Sequence, residues 1–464
     1  MARKRKWTPT KRRRARKKAN AALRQRKRTI EANRHRVQTS YTGMVAVAEY
    51  ANQMLRLPKR LPKALAMKKG KNAVYQPLDE AMAHLGSQIT GIARLNNLDQ
   101  LLSEQVVADL LGLPQWPSHD TEQRFLRRAT QQSLEGMDPL TQRVILEPEL
   151  QWGNGLIEVD GDVTGIPQRA RKREGVQPGF CGGKVRPCYQ HPRVTVNGLS
   201  WWSDLRAGDD GCMDVFDRTR ETALKLAQKS PKQEVNYRLD ADFISKEHLE
   251  EALDPRRPKN LHFLLAVHAS KMKEGRWEEL VGQAPGRWIR INSTTEVREL
   301  GPVRPWEDVA PIRAVAVRRQ KRDSKGKKRG KGRSRVWDLR YLILTDIARK
   351  QLGTRKTFKR YHQRQGEEYS FKDGKQSLPM GKIPTQELMA NRMHVKMVAL
   401  AQVIVQMFAR YFLPHPGRYG PTCKRVRETV IAVGGENLPG PNGRTGANLS
   451  WLPLAASPSG EGTR

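Results

Sequence analysis

Residues 235–269, VNYRLDADFISKEHLEEALDPRRPKNLHFLLAVHA, decide the fold class. VNYRLDADF alternates as a strand and SKEHLEEAL reads as a helix capped by Ser245 and stopped before Pro255. LHFLLAVHA is an apolar run short enough to be a buried strand. Upstream, LIEVDGDV (156–163), KVRPCYQHPRVTVN (184–197) and LSWWSDLRAG (199–208) read as three more strands, and VFDRTRETALKLAQK (215–229) as an amphipathic helix. Three strands, helix, strand, helix, strand predict an α/β layer built on a mixed sheet.

Two of these strands end in paired acids, Asp160 with Asp162 and Asp240 with Asp242. Residues two apart on a strand project from one face, so each pair offers both carboxylates together. Acids are poor strand residues, and four of them at the ends of apolar strands point to a bound cation. A third element, YHQRQGEEYSFKDGK (361–375), sets Tyr361, Arg364, Glu368 and Lys375 at offsets of 3, 7 and 14. On one continuous helix, at about 100° per residue, these fall in a sector about 60° wide. A tyrosine, two cations and an acid on one surface describe a phosphate site containing a metal-binding carboxylate. Mg²⁺ takes oxygen ligands and shares them with substrate phosphate, so acids from these three stretches would suit a two-metal site for displacement at phosphorus.

The chain's charge agrees with such a substrate. Its 86 Lys and Arg against 47 Asp and Glu leave +39, an excess that calls for an anionic polymer. Residues 1–40 alone hold 17 basic residues against Glu31 and too little apolar surface for a core, which predicts a disordered arm that tracks phosphates. Residues 41–147 are helical in pattern. Within them SEQVVADLLGLPQWPSHDTEQRFLRR reads as a helix, a turn from Pro114 to Pro117 and a second helix capped by Ser118. Arg124, Arg127 and Arg128 on that second helix are candidate DNA contacts.

The first part of the α/β core spans 148–270. Residues 271–348 are β-rich, with RWIRIN, PIRAVAVRRQ and RVWDLRYLILT as strands, and carry a basic loop from Arg318 to Arg335 with 11 cationic residues. The core resumes over 349–412, where LMANRMHVKMVALAQVIVQMF predicts a long apolar helix covering the sheet, and 413–464 form a Gly- and Pro-rich extension. The four cysteines form no CxxC pair and read as free thiols. No apolar run approaches the ~18 residues of a membrane span and no secretory leader is evident, which places the expected protein inside the cell beside its nucleic acid.

With these residues in place, the chain resembles the DDE transposases of bacterial insertion sequences, in the superfamily marked by a Tyr, Arg, Glu, Lys signature of spacing Y-x2-R-x3-E-x6-K. The likeness runs through LLGLPQWPSHDTEQRFL, CYQHPRVTVNGLSWWSDLRAGD, RLDADF and MANRMHVKMVALAQVIV, roughly residues 80–412, and is that of the thirteen-eighty type. The resemblance implies an RNase H-like core interrupted by a β-rich insertion and preceded by an all-helical DNA-binding region. It implies Mg²⁺-dependent cleavage at transposon ends (Mn²⁺ as a substitute) and strand transfer into target double-stranded DNA, by a homodimer in a bacterial cytoplasm. Asp162, Asp240 and Glu368 match the catalytic, metal-holding acids, and Tyr361, Arg364 and Lys375 the phosphate contacts. Asp160 and Asp242 remain alternatives to Asp162 and Asp240. Trp337, followed by Trp288 and Trp306, is the candidate for stacking a flipped base. Rival readings are a catalytically idle relative that only binds DNA, a ribosomal or chromatin-type structural protein, and a haloacid-dehalogenase-type phosphatase. The phosphatase would use Asp160-Gly-Asp162-Val-Thr164 as its nucleophile motif.

Overall fold

The computed structural model describes residues 37–146, 155–170, 172–320, 337–413, 421–432, 435–439 and 445–446. The basic arm through residue 36, the basic loop over 321–336 and most of the C-terminal extension lie outside them. The described residues fall into two compact units, one within Met1–Gly136, Ser377–Pro384 and Ile404–Arg464, the other within Met137–Gln376 and Thr385–Val403.

The first unit is mainly helical. A short strand β1 (Val37–Thr39) pairs antiparallel with Gly435–Pro439. Helices α1 (Met44–Glu49), α2 (Leu57–Leu65), α3 (Pro77–Thr90), α4 (Gln105–Leu110) and α5 (His119–Arg127) follow. A capping box between Gln76 and Asp79 starts α3, and the Ser118 hydroxyl accepts from the Thr121 N–H to start α5, as its sequence predicts. The proline turn between α4 and α5 is fastened by the Trp116 indole N–H, which donates to the Glu104 carbonyl at 3.0 Å.

The next helix, α6 (Gln131–Leu146), leads into a ten-stranded mixed sheet. Its strands are β2 (Leu156–Pro167), β3 (Gln177–Cys181), β4 (Lys184–Val196), β5 (Leu199–Ser203), β6 (Glu234–Leu239), β7 (Leu261–His268), β8 (Ile289–Asn292), β9 (Thr295–Val303), β10 (Ile312–Gln320) and β11 (Trp337–Thr345). They lie in the order β3-β4-β2-β6-β7-β11-β10-β9-β8, with β5 on β4. Among the described residues, β2 with β6 and β6 with β7 are the pairs that run parallel. The strands of the β-rich stretch are no separate layer: β11 adds antiparallel to β7, Tyr341 opposite His268, and extends the same sheet.

Helices α7 (Val215–Lys229), α8 (Lys246–Ala252) and α9 (Arg276–Gly282) connect the strands. Helix α7 lies against one face of β2 and β6 so closely that a Cβ at Gly161 would stand 2.1 Å from the Thr219 hydroxyl. Strands β3 and β9 escape the sequence reading. QPGFC holds both a proline and a glycine. TEVRELGPV hides its alternation, because Glu296 and Glu299 are neutralised by Arg318 and Arg313 of β10 rather than by solvent.

The other face of β2 is polar, with Glu158, Asp160, Asp162 and Thr164 at every second position. Helices α10 (Thr354–His362), α11 (Gln365–Gln376) and the start of α12 (Leu388–Phe412) supply its partners. Ser370 of α11 donates to the Gly198 carbonyl, Phe371 sits 4.1 Å beneath the Arg193 guanidinium, and Gln402 of α12 accepts from Arg193. Phe358 and Tyr361 of α10 pack into an apolar cluster with Leu264, Val315 and Ile343. Contrary to the expectation that no segment is long and apolar enough, α12 passes that test, with hydropathy 1.3 over its best 18-residue window. That window is 83% buried within the protein, so its apolar surface is accounted for by the core.

Candidate active site

The parallel register of β2 and β6 sets Asp160 opposite Arg238, an offset of 78 residues. Asp162 and Asp240 are separated by the same 78, Asp162 standing two residues beyond Asp160 on β2 and Asp240 two beyond Arg238, just past the end of β6. Strand β6 ends at Leu239, and Asp240 caps the 3-10 turn Ala241–Phe243, its Oδ1 accepting from the Ala241 N–H at 2.7 Å. Its side chain is 46% exposed and that of Asp162 19%.

A single guanidinium faces both acids. Arg364 Nη2 donates to Asp240 Oδ2 at 2.8 Å, and Nη1 lies 3.6 Å from Asp162 Oδ2, an ion pair too long for a hydrogen bond. Nη1 is buried and has no hydrogen-bond acceptor among the described residues. Burial opposes the charge of Arg364, but Tyr361, Asp162, Asp240 and Asp160 outweigh it and raise its pKa. The Tyr361 hydroxyl donates to Asp240 Oδ1 at 3.4 Å. Burial holds the pKa of that phenol well above its usual value, so it remains a donor.

Asp160 serves otherwise. Arg238 clamps it with two bonds of 2.6 Å, pairs with Glu158 at 2.9 Å, and donates from Nη1 to the Arg360 carbonyl of α10 at 2.7 Å. With Asp160 3% exposed and Arg238 fully buried, this is an internal ion pair, and of the two acids on β2 it is Asp162 that faces Arg364. The phosphatase reading fails here, because a nucleophilic Asp160 would have to reach phosphorus while both its oxygens are held by a buried arginine. Just past β6, Asp242 is exposed on the 3-10 turn, and of that pair it is Asp240 that binds Arg364. Arg238 is the residue the sequence reading passed over. An arginine inside an apolar strand, two positions from Asp240 and therefore on its face, is the signal for it.

The four signature residues do not share one helix. The helix expected through 361–375 is two: Gln363 N–H bonds back to Lys359 O, Arg364 N–H to Tyr361 O, and the tightened turn between α10 and α11 carries Arg364. Gly374 is no interruption, since α11 runs on to Gln376. Lys375 donates to the Thr164 hydroxyl at 2.6 Å and the Gly165 carbonyl at 3.0 Å, beside Asp162 on β2. Burial lowers its pKa, and Arg193 lowers it further. Glu368 lies on α11, but the side chains of residues 365–369 are outside the described part. Among the described residues no three His, Cys, Asp or Glu side chains converge into a metal cluster.

His362, next to Tyr361, shares a 2.6 Å hydrogen bond with the Tyr341 hydroxyl. Burial, with Arg319 and Arg364 nearby, pushes its pKa down to about 4, so it accepts as a neutral ring. Trp337 is half-buried at the start of β11. The Arg318 guanidinium stands 4.8 Å from its ring centroid and 4.0 Å from that of Trp288, while the Trp306 indole N–H is bound to the Lys271 carbonyl. In the helical unit Arg124 and Arg127 are exposed. Arg128, expected on the same DNA-facing surface, instead pairs with the buried carboxylate of Glu80, which also binds Lys69 at 2.5 Å. A fully buried acid needs its cations, and this one takes Arg128.

No protein-family model matches this chain, and no curated protein matches it. Among solved structures it is similar to the piggyBac transposase in a synaptic complex with hairpin DNA. The TM-score is 0.39 and the identity 10%, over 85% of this chain and 81% of that one. A score of 0.39 at that identity fixes neither a family nor an activity.

Proposed function

We propose that this chain is a DDE-type transposase of an insertion sequence, which binds the element's ends and performs Mg²⁺-dependent strand cleavage and transfer on double-stranded DNA. The observation that carries the reading is that Asp162 on β2 and Asp240, just past the end of β6, both face the single guanidinium of Arg364. Two carboxylates at one strand end, both facing a cation, are the hard oxygen donors that Mg²⁺ or Mn²⁺ takes, and the guanidinium stands where such an ion would neutralise them. Glu368 is the third acid of the proposal. When bound, the metal would stabilise charge developing on the attacking and leaving oxygens at phosphorus.

The chain's own residues then have these tasks. Arg364 and Lys375 bind phosphate oxygens beside the cut, Tyr361 orients Asp240, and the RNase H-like sheet positions all three elements. Trp337 is the surface proposed for a flipped base. Residues 41–147 recognise the ends through Arg124 and Arg127, and a homodimer pairs the two ends in a bacterial cytoplasm. An Arg364 that stayed between the acids would leave a protein that only binds DNA.

Cleavage of a linear duplex bearing the inverted repeats that flank the coding region tests the proposal. Cutting that requires Mg²⁺ or Mn²⁺ and is lost in Asp162→Asn, Asp240→Asn and Glu368→Gln supports it. End binding with no metal-dependent cutting selects the idle relative.

A further inference from the structure

An unassigned cavity of about 710 Å³ lies at the β8–β9 edge of the sheet unit, a volume that suits a nucleotide-sized ligand. Four arginines line it: Arg287 and Arg290 around the start of β8, Arg349 after β11, and Arg355 in the first turn of α10. None of the four pairs with a carboxylate among the described residues. The one acid in the lining, Glu299, has both oxygens occupied, by Arg313 at 2.9 and 3.0 Å and by the Thr354 hydroxyl at 2.7 Å. No acidic residue of α10 stands in its own first turn, and the carboxylate at that helix end is Glu299, already held by Arg313 and Thr354. Trp288 forms an aromatic wall.

Four exposed guanidiniums around one concavity give it a positive potential, and their planar forks match phosphate oxygens. The cavity also communicates with the acids through α10. Arg355 opens that helix and Tyr361 lies six residues on, ~9 Å along the axis, within two or three nucleotides of a strand whose reacting phosphate is at Asp162 and Asp240.

We infer that this cavity is a second nucleic-acid site, which takes the phosphodiester backbone of a single DNA strand two or three nucleotides from the reacting phosphate. The inference rests on the proposed function and adds a binding locus that the acids and the signature residues do not supply.

Fluorescence anisotropy of the full chain with a labelled single-stranded oligodeoxythymidylate, between roughly 50 and 200 mM salt, tests it. In the double variant Arg287→Gln, Arg349→Gln the slope of log affinity against log salt should flatten by about 1.4, two phosphates at about 0.7 each. The Arg287→Lys, Arg349→Lys variant should keep most of the slope. Both side chains are exposed, so an unchanged melting temperature should accompany these changes. An unchanged slope in the glutamine variant overturns the site. Displacement of the strand by inorganic pyrophosphate or poly-glutamate as readily as by unlabelled strand overturns the strand as its occupant. Asp162→Asn should leave the slope intact. A slope effect in a chain that never cuts DNA would keep this site and discard the transposase reading.

Discussion

Arg238 and Asp160 stand opposite one another in the parallel register of β6 and β2, joined by two hydrogen bonds of 2.6 Å. Because the same arginine holds the Arg360 carbonyl, the pair fixes the end of α10 from which Tyr361 and Arg364 reach the acids. Removing one partner of a buried pair strands the other's charge in a dry interior. Arg238→Met should therefore destabilise the protein by about 3–5 kcal/mol in denaturant unfolding. A loss under about 1 kcal/mol would mean that the pair is hydrated and does not anchor α10.

Asp240→Asn changes a half-exposed carboxylate and should shift stability by less than about 1 kcal/mol, whereas Asp162→Asn, at a carboxylate 19% exposed, should cost somewhat more. Each should lower the metal-dependent cleavage rate by about a thousandfold or more while leaving affinity for the DNA end nearly unchanged. Retention of cutting in either variant would remove that acid from the site.

Stability should fall in mildly acidic solution through His362. Its folded pKa, about 4, is depressed below the ~6.5 of an unfolded histidine. The unfolded chain therefore binds the proton first as pH drops. The contribution is fully present above pH ~6.5 and is lost as pH falls toward about 4. His362→Gln should flatten the melting temperature over that window. An unaltered profile would place the acid sensitivity on other groups.

Arg124 and Arg127 of α5 and Arg128, which follows it, should separate into two kinds. Arg124→Gln and Arg127→Gln remove exposed charges and should each reduce the salt slope of duplex binding by about 0.9. Arg128→Gln deprives buried Glu80 of a partner and should lower the melting temperature instead. If all three reduced the slope equally, the Glu80 contact would not persist in solution.

Gly161 tolerates no side chain, because its Cβ would meet the Thr219 hydroxyl at 2.1 Å and the Leu239 and Val215 side chains at 2.9 and 3.0 Å. Gly161→Ala should cost about 1–3 kcal/mol by pushing α7 off the sheet and disturbing Asp160 and Asp162 on either side. A neutral effect, read by thermal melting, would show that α7 yields without strain.

The sequence by itself determined most of the elements and the face that residues on a strand share. Alternation located β2, β6, β10 and β11, a short apolar run located β7, the Ser118 and Ser245 caps marked their helices, and a period of two put Asp160 and Asp162 together on β2. Those are local properties, set by backbone geometry within a few residues. Only the tertiary structure decided between the two acids, because a shared face says nothing of depth. Asp160 lies where β6 brings Arg238 beneath α10, and Asp162 one step beyond, where Arg364 arrives from a turn 202 residues later. The break between α10 and α11, the joining of β11 to β7 and the capture of Arg128 by Glu80 likewise depend on partners distant in the chain. Charge neutralisation between such partners leaves no periodic trace in either segment.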